Sequence, residues 1–293
     1  MFTGFTSHRF HHDGADIFYR AAGHGPPLLL LHGHPQTHAI WHKVAGVLRE
    51  HFTLVLADLR GYGDSSRPQT DDNHMPYSKR VMANDMVALM ASLGFKQFAV
   101  LAHDRGARVA HRMAADHPGA VQRMMLLDIA PTLAMYEQTN EEFARAYWHW
   151  FFLIRPSPLP EILIESDPDA YLDGVMGVRS EGMKHFSEEA LAEYRRCVRI
   201  EGTAKSMCED YRASASIDLE HDRDDRTKGT KLMMPISVLW GDQGIVGQCF
   251  DVLAEWRKVA SSVTGEALPA GHYIPEEVPD LLLNQALEFF GQD

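Results

Sequence analysis

Between residues 98 and 115 the chain passes from a strand-like run straight into a helix-like one. Phe98 to Ala102 is apolar and Ala107 to Ala115 has helical character. The intervening His103-Asp104-Arg105-Gly106 leaves almost no loop. Small residues, Ala102 and Gly106, stand two before and two after Asp104. This small-x-Asp-x-small spacing suits a sharp strand-to-helix turn, the nucleophile elbow, which lifts one side chain above a sheet. The neighbours must be small because the backbone passes close to itself there. An Asp before a helix is also an ordinary N-cap, so the surrounding chain has to decide between the two.

The alternation that such a turn requires is present on both sides. Residues 8–22 read as an antiparallel hairpin with Asp13-Gly14 at its turn. Leu28 to Leu31 is wholly apolar, as expected of a strand buried on both faces. A helix is expected over about Trp41 to Glu50 and a strand over Thr53 to Ala57. A second helix is expected over about Ser78 to Leu93, where Val81, Met82, Met86, Leu89, Met90 and Leu93 fall at helical spacing. The Asp104 strand and helix follow, then a strand from Val121 to Ile129. From about Pro131 to Arg226 the alternation stops, and the sequence is helical and rich in aromatics. The charged patch His221 to Lys231 reads as the exit loop. Strand character resumes at Ile236 to Gly241, and a helix through Trp256, a strand near Gly265 to Leu268 and a last helix near Asp280 to Phe290 complete the chain. The predicted fold class is α/β: a mostly parallel twisted sheet flanked by helices, with an inserted helical cap. Its boundaries are expected at 1–132 and 227–293 for the two parts of the core, and at 133–226 for the cap.

Composition narrows the function classes. The net charge is −12 with no Lys/Arg-rich run, which disfavours nucleic acid and anionic membrane as partners. The three cysteines, Cys197, Cys208 and Cys249, form no CxxC pair, so neither a disulfide framework nor a zinc site is expected. No metal and no cofactor is called for by any motif. The N-terminus lacks a basic-then-apolar leader and no apolar run approaches ~18 residues, so a cytoplasmic enzyme is expected.

Asp at the elbow selects a chemistry. Ser attacking an sp3 carbon would form an ether that water does not readily cleave. Asp forms an ester, which an activated water hydrolyses at the acyl carbon. C–halogen displacement and epoxide opening are the reactions that use this. His272, flanked by Gly271 and placed before the last helix, is the expected base. Its acid partner is Asp128 or Asp242, each at the end of a predicted strand. Arg105 and Arg108 lie at i and i+3 near a helix N-terminus, where cations are unfavourable. A substrate carboxylate held by two guanidinium groups supplies a reason for them.

Taken together, His32-Gly33-x-Pro35-Gln36-Thr37-His38, Asp58-Leu59-Arg60-Gly61-Tyr62-Gly63, His103-Asp104-Arg105-Gly106-Ala107-Arg108, Tyr147-x-His149-Trp150, Met207 to Arg212 and Gly271-His272 resemble the fluoroacetate (haloacetate) dehalogenases of the α/β-hydrolase superfamily. The resemblance covers essentially the full length. It implies Asp104 as nucleophile, His272 as base and Asp128 as its acid partner, with Asp242 second. It implies Arg105 and Arg108 on the substrate carboxylate, backbone donors of an oxyanion site at His34 and Arg105, and His149, Trp150 and Tyr211 as donors to the departing halide. Fluoride is a poor leaving group that water stabilises by strong hydration, so a dry site has to replace that hydration with aimed donors. The expected substrate is a small anionic haloacid and the expected assembly a homodimer. His34 stands where relatives often carry an aromatic residue, and an imidazole there is expected to affect pH behaviour. Cap residues 171–200 match less clearly. The nearest alternative is an epoxide hydrolase with Tyr211 and Tyr147 as cap phenols. A hydrolase-fold protein that merely binds a small carboxylate is the non-enzymatic one.

Overall fold

Four consecutive leucines, Leu28 to Leu31, are completely buried, and their alternation divides the molecule into two apolar layers. Leu29 and Leu31 face one side of the sheet with Val55, Val100 and Ala102. Leu28 and Leu30 face the other with Leu54, Leu56 and Leu101. A period of two along each strand produces this split. The structure, a computed structural model, describes residues 1–179 and 181–291.

The strands are β1 (Thr6–His12), β2 (Ala15–Ala22), β3 (Pro27–Leu31), β4 (Thr53–Ala57), β5 (Phe98–His103), β6 (Val121–Leu127), β7 (Leu232–Gly241) and β8 (Ala260–Leu268). Among the described residues they form one sheet in the order β1-β2-β4-β3-β5-β6-β7-β8. The β1–β2 hairpin is antiparallel and β2 runs antiparallel to β4. All remaining pairs are parallel. Helices α1 (Ala45–Leu48), α2 (Lys79–Ser92) and α3 (Arg105–Asp116) belong to the first part of the core. The segment between β6 and β7 is helical: α4 (Thr132–Glu137), α5 (Glu141–Ala146), α6 (Trp148–Leu153), α7 (Leu159–Ser166), α8 (Pro168–Met176), α9 (Glu188–Val198), α10 (Thr203–Ser214) and α11 (Ile217–Lys228). The chain closes with α12 (Ile245–Cys249), α13 (Val252–Val259), α14 (Ile274–Glu277) and α15 (Pro279–Phe290).

Two local expectations are corrected. The charged stretch from His221 is helix α11 as far as Lys228, not a loop. Arg226 on this helix pairs with Glu137 of α4, and Asp222 and Asp225 pair with Arg112 of α3. Ion pairs to two neighbouring helices thus support a helix whose sequence has little apolar periodicity. The helix expected over Trp41 to Glu50 is split into a 3-10 turn, His38–Trp41, and the single-turn α1. Thr37 caps the 3-10 turn through its side chain.

A candidate active site at the strand ends beneath the cap

Asp104 ends β5 and opens α3 with φ +46° and ψ −113°. An ordinary N-cap residue is extended. A left-handed Asp is a sparsely populated conformation, retained only where packing over-determines it. That packing is visible at two glycines. A Cβ on Gly106 would stand 2.5 Å from the His32 carbonyl oxygen and 2.6 Å from that of Leu31, and a Cβ on Gly33 would collide with Asp104 itself.

The two carboxylate oxygens of Asp104 have different surroundings. Oδ1 accepts hydrogen bonds from the backbone N–H of Arg105 at 2.6 Å and of His34 at 3.1 Å. The second donor comes from the turn after β3, where the His34–Pro35 bond is cis. Oδ2 accepts from Arg179 Nη2 at 3.2 Å and lies 3.5 Å from His272 Nε2. Burial raises the carboxyl pKa, but the charge of Arg179, then those of His272, His103 and Arg108, outweigh it and hold Asp104 well below the usual carboxylate range. This carboxyl group is therefore ionised at neutral pH.

His272 follows β8 and is fixed by its backbone, its N–H donating to the Arg179 carbonyl at 3.0 Å. Its Nδ1 lies 2.6 Å from Asp128 Oδ2, and Asp128 Oδ1 accepts from the Gly241 N–H at 3.1 Å. Burial, then the nearby Arg179 charge, lowers the imidazole pKa well below its usual value, so the ring is uncharged. Burial raises the Asp128 carboxyl pKa, and the Gly241 hydrogen bond opposes this. With its one proton on Nδ1, in the bond to Asp128, the ring leaves Nε2 unprotonated, and that atom has no hydrogen-bond partner among the described residues. Asp242 ends β7 but is exposed, with its backbone N–H on the Leu268 carbonyl. The structure thus brings Asp128, and not Asp242, to His272.

The two arginines of α3 differ. Arg105 forks onto the cap residue Asp210, with Nε to Oδ2 at 3.0 Å and Nη2 to Oδ1 at 2.7 Å, and adds a bond to Ser214 Oγ at 2.6 Å. Only its Nη1 is left without a partner. Lys79 also pairs with Asp210. Arg108 donates to Thr132 Oγ1 at 2.7 Å, leaving Nε unpartnered, and its guanidinium lies 4.6 Å from the centroid of the Trp150 ring. The fork expected for a ligand is thus taken up in Arg105 by the cap; Arg108 Nη2 lies 3.1 Å from Met135 Sδ, and one nitrogen of each arginine, Arg105 Nη1 and Arg108 Nε, remains without a partner among the described residues.

From the cap, α6 supplies His149 and Trp150, and α10 supplies Tyr211. All three are fully buried. Both ring nitrogens of His149, Nε1 of Trp150 and the hydroxyl of Tyr211 lack a protein partner. An unpaired buried polar group costs roughly 1–3 kcal/mol, so a cluster of four such atoms marks a place built for a polar occupant. The rings converge: His149 lies 5.8 Å and Trp150 6.3 Å from Tyr211, centroid to centroid. His34 stacks on His149 at 5.9 Å and bonds Tyr171 through Nε2 at 2.9 Å. Burial lowers its pKa to about 3, so this imidazole carries no charge change through the neutral range.

Arg179 was not singled out by the sequence. It lies in an irregular turn between α8 and α9, where neither periodicity nor a motif marks it. Its guanidinium sits between the rings of Tyr147, 5.1 Å away, and Tyr273, 5.7 Å away. It lines a cavity of about 280 Å³ together with Asp128, Tyr147, Ile245, His272 and Glu277. Among the described residues no group of His, Cys, Asp and Glu is arranged to hold a metal ion, and no helix is long and apolar enough to cross a membrane.

The chain is similar to known proteins over most of its length. Residues 26–279 match the family described by the alpha/beta hydrolase fold. The chain is 41% identical to a fluoroacetate dehalogenase of Burkholderia sp, over 96% of this chain and 92% of that one. It is 35% identical to a soluble epoxide hydrolase of Corynebacterium sp. (strain C12), over 99% of each. The crystal structure of a protein from Nostoc sp PCC 7120, assigned to the α/β hydrolases, has a TM-score of 0.97 at 51% identity and covers both chains completely. The chain belongs to the α/β-hydrolase family, among relatives that include a fluoroacetate dehalogenase and a soluble epoxide hydrolase.

Proposed function

We propose that this enzyme hydrolyses haloacetates, fluoroacetate and chloroacetate, to glycolate and halide through an ester on Asp104. The observation that carries the reading is the division of labour at Asp104. Oδ1 rests on two backbone N–H groups. Oδ2 faces His272 and the cationic side of the site. The substrate carboxylate is held by the free edges of Arg105 and Arg108, with its halogen toward His149, Trp150 and Tyr211. Oδ2 attacks the CH2 carbon in line, the carbon–halogen bond breaks, and the halide leaves with its electron pair toward those donors. His272 Nε2 then takes a proton from water as the water oxygen adds to Cγ of the ester. Negative charge builds on Oδ1, where the His34 and Arg105 N–H groups already point. Collapse breaks the Cγ–Oδ2 bond, and His272 returns the proton to glycolate. Asp128 accepts the hydrogen bond from Nδ1–H throughout and orients the ring.

The likeness to a soluble epoxide hydrolase keeps one rival. Epoxide opening needs phenols on the epoxide oxygen; Tyr211 has a free hydroxyl, whereas Tyr147 is stacked on Arg179. The three guanidinium groups around the site favour the haloacid. The same reading takes the enzyme as a cytoplasmic homodimer. Three free thiols are in keeping with a reducing compartment, and Leu159, Ile162 and Leu163, each more than half exposed on α7, offer an apolar face to a second copy. The test of function is halide release from fluoroacetate and chloroacetate beside Asp104→Ala. Release of both ions, lost in the variant, is expected. Turnover of styrene oxide with no halide release would transfer the site to the epoxide reading.

A further inference from the structure

We infer that Arg179 is a latch on the nucleophile which only an anionic substrate opens, so that it selects haloacids over neutral electrophiles. The inference rests on the haloacetate reading and explains a contact which that reading leaves unexplained. Oδ2 of Asp104, the oxygen that has to attack, is the one bonded to Arg179 Nη2 at 3.2 Å. A charge-assisted hydrogen bond to a nucleophilic oxygen ties up its electron pair, and in a buried site it is about twice as strong as a neutral one. Attack therefore requires the guanidinium to swing away. Among the described residues Asp104 is the one carboxylate it pairs with, and separating the two would leave a buried charge unpaired, a costly state. A substrate carboxylate arriving from the outer cavity replaces that partner at once. A neutral epoxide or haloalkane brings no charge to exchange and leaves Asp104 covered.

The surroundings of Arg179 fit an exchange. Arg179 lines the outer cavity, whereas Arg105 and Arg108 do not, so an anion in that cavity meets this cation first. The backbone is fixed, because the Arg179 carbonyl accepts from the His272 N–H, and a Cβ on Gly271 would stand 2.8 Å from that carbonyl. Movement is left to the side chain. Its Nε has no partner, and Nη1 makes only a long 3.4 Å contact with the His34 carbonyl. The rings of Tyr147 and Tyr273 on either side keep the cation stabilised while it changes carboxylates. Arg105 cannot play this part, since Asp210 already holds its fork.

The experiment compares wild type, Arg179→Gln and Arg179→Lys on two isosteres, chloroacetate and neutral chloroacetamide. Acetate binding to the same proteins is measured by calorimetry. In Arg179→Gln, the ratio of kcat/KM for chloroacetate over chloroacetamide is expected to fall by about tenfold or more, the equivalent of one lost charge-assisted bond. Chloroacetamide turnover is expected to hold or rise, and Arg179→Lys to restore part of the ratio. Acetate is expected to bind about tenfold more weakly to Arg179→Gln. Equal losses on both chloro compounds would mean a merely structural arginine and overturn the latch, as would unchanged acetate affinity. If wild type releases no chloride, the haloacetate reading fails by itself, and the acetate titration still decides whether Arg179 exchanges anions.

Discussion

Substituting His272 with Gln separates the two chemical steps, because only the second uses the imidazole. Its Nε2 stands 3.5 Å from Asp104 Oδ2 and bonds no other group among the described residues. Alkylation of Asp104 needs no proton transfer, since neighbouring charges keep that carboxylate ionised. Gln also retains an N–H donor for Asp128, whose Oδ2 takes the 2.6 Å bond from His272 Nδ1 in the native site, so the buried carboxyl keeps a partner. His272→Gln mixed with excess chloroacetate is expected to release one chloride per active site at nearly the native rate and then slow by about 10²–10⁴-fold, the usual worth of a positioned general base. The arrested protein should carry a carboxymethyl group on Asp104, an added mass of about 58 Da, because the ester persists without an activated water. Stopped-flow chloride detection gives the burst and peptide mass spectrometry gives the site. Steady release at the native rate would refute the assignment of the base. A burst with the added mass on a residue other than Asp104 would refute the assignment of the nucleophile.

Trp150→Phe removes the unpartnered indole N–H while keeping an aromatic face for Arg108; turnover of fluoroacetate should fall about tenfold or more beyond that of bromoacetate, because fluoride depends most on hydrogen-bond donors. Equal losses on the two substrates would remove Trp150 from the halide cradle. The rate of ester hydrolysis in a single turnover should stay flat through pH 6–8, since burial and Arg179 lower the His272 pKa well below its ordinary value and keep the free base available on the acid side; an acid limb centred near ~6.5 would contradict this. Asp210→Asn should destabilise the fold by about 3 kcal/mol in urea at neutral pH, because it strips Arg105 and Lys79 of their shared counter-charge. The same pair fixes a sign with pH. Burial raises the Asp210 pKa but Arg105 and Lys79 lower it further, so the folded value lies below the unfolded one. The stabilisation is complete above about pH 4 and is lost as pH falls below it. The acid-induced loss of stability should be shallower in Asp210→Asn than in the wild type.

Much of the site was legible because its parts are local in sequence. The elbow turn needs small residues around Asp104, and those residues lie within two positions of it. The His34 donor depends only on the turn after β3. His149 and Trp150 adjoin each other, and what identified them was a resemblance, because a buried Trp in a cap helix is otherwise unremarkable. The acid partner was undecidable on local grounds, since Asp128 and Asp242 both follow strands. The difference is one of backbone: Asp128 takes a left-handed conformation, φ +50°, and its carboxyl turns inward, whereas Asp242 points to solvent. Arg105 was read as free for a ligand because its partner, Asp210, is distant in sequence and comes from the cap. Arg179 left no trace at all: a single cation in an aperiodic turn acquires meaning only when the fold places it against Asp104.

The buried charges of the site explain how a strongly acidic protein can accept an anion. The net charge of −12 repels a carboxylate at long range, but surface charges beyond a Debye length, about 8 Å at physiological salt, are screened. Inside the cleft the accounting differs. Arg105, Arg108, Arg179 and Lys79 face Asp104, Asp210 and Asp218, and the first two of these carboxylates are bonded directly to guanidinium groups. Arg105 Nη1 and Arg108 Nε, both buried and without a partner among the described residues, stay available to a substrate carboxylate, and since charge inside the site is screened little by salt, raising ionic strength should weaken chloroacetate binding only slightly.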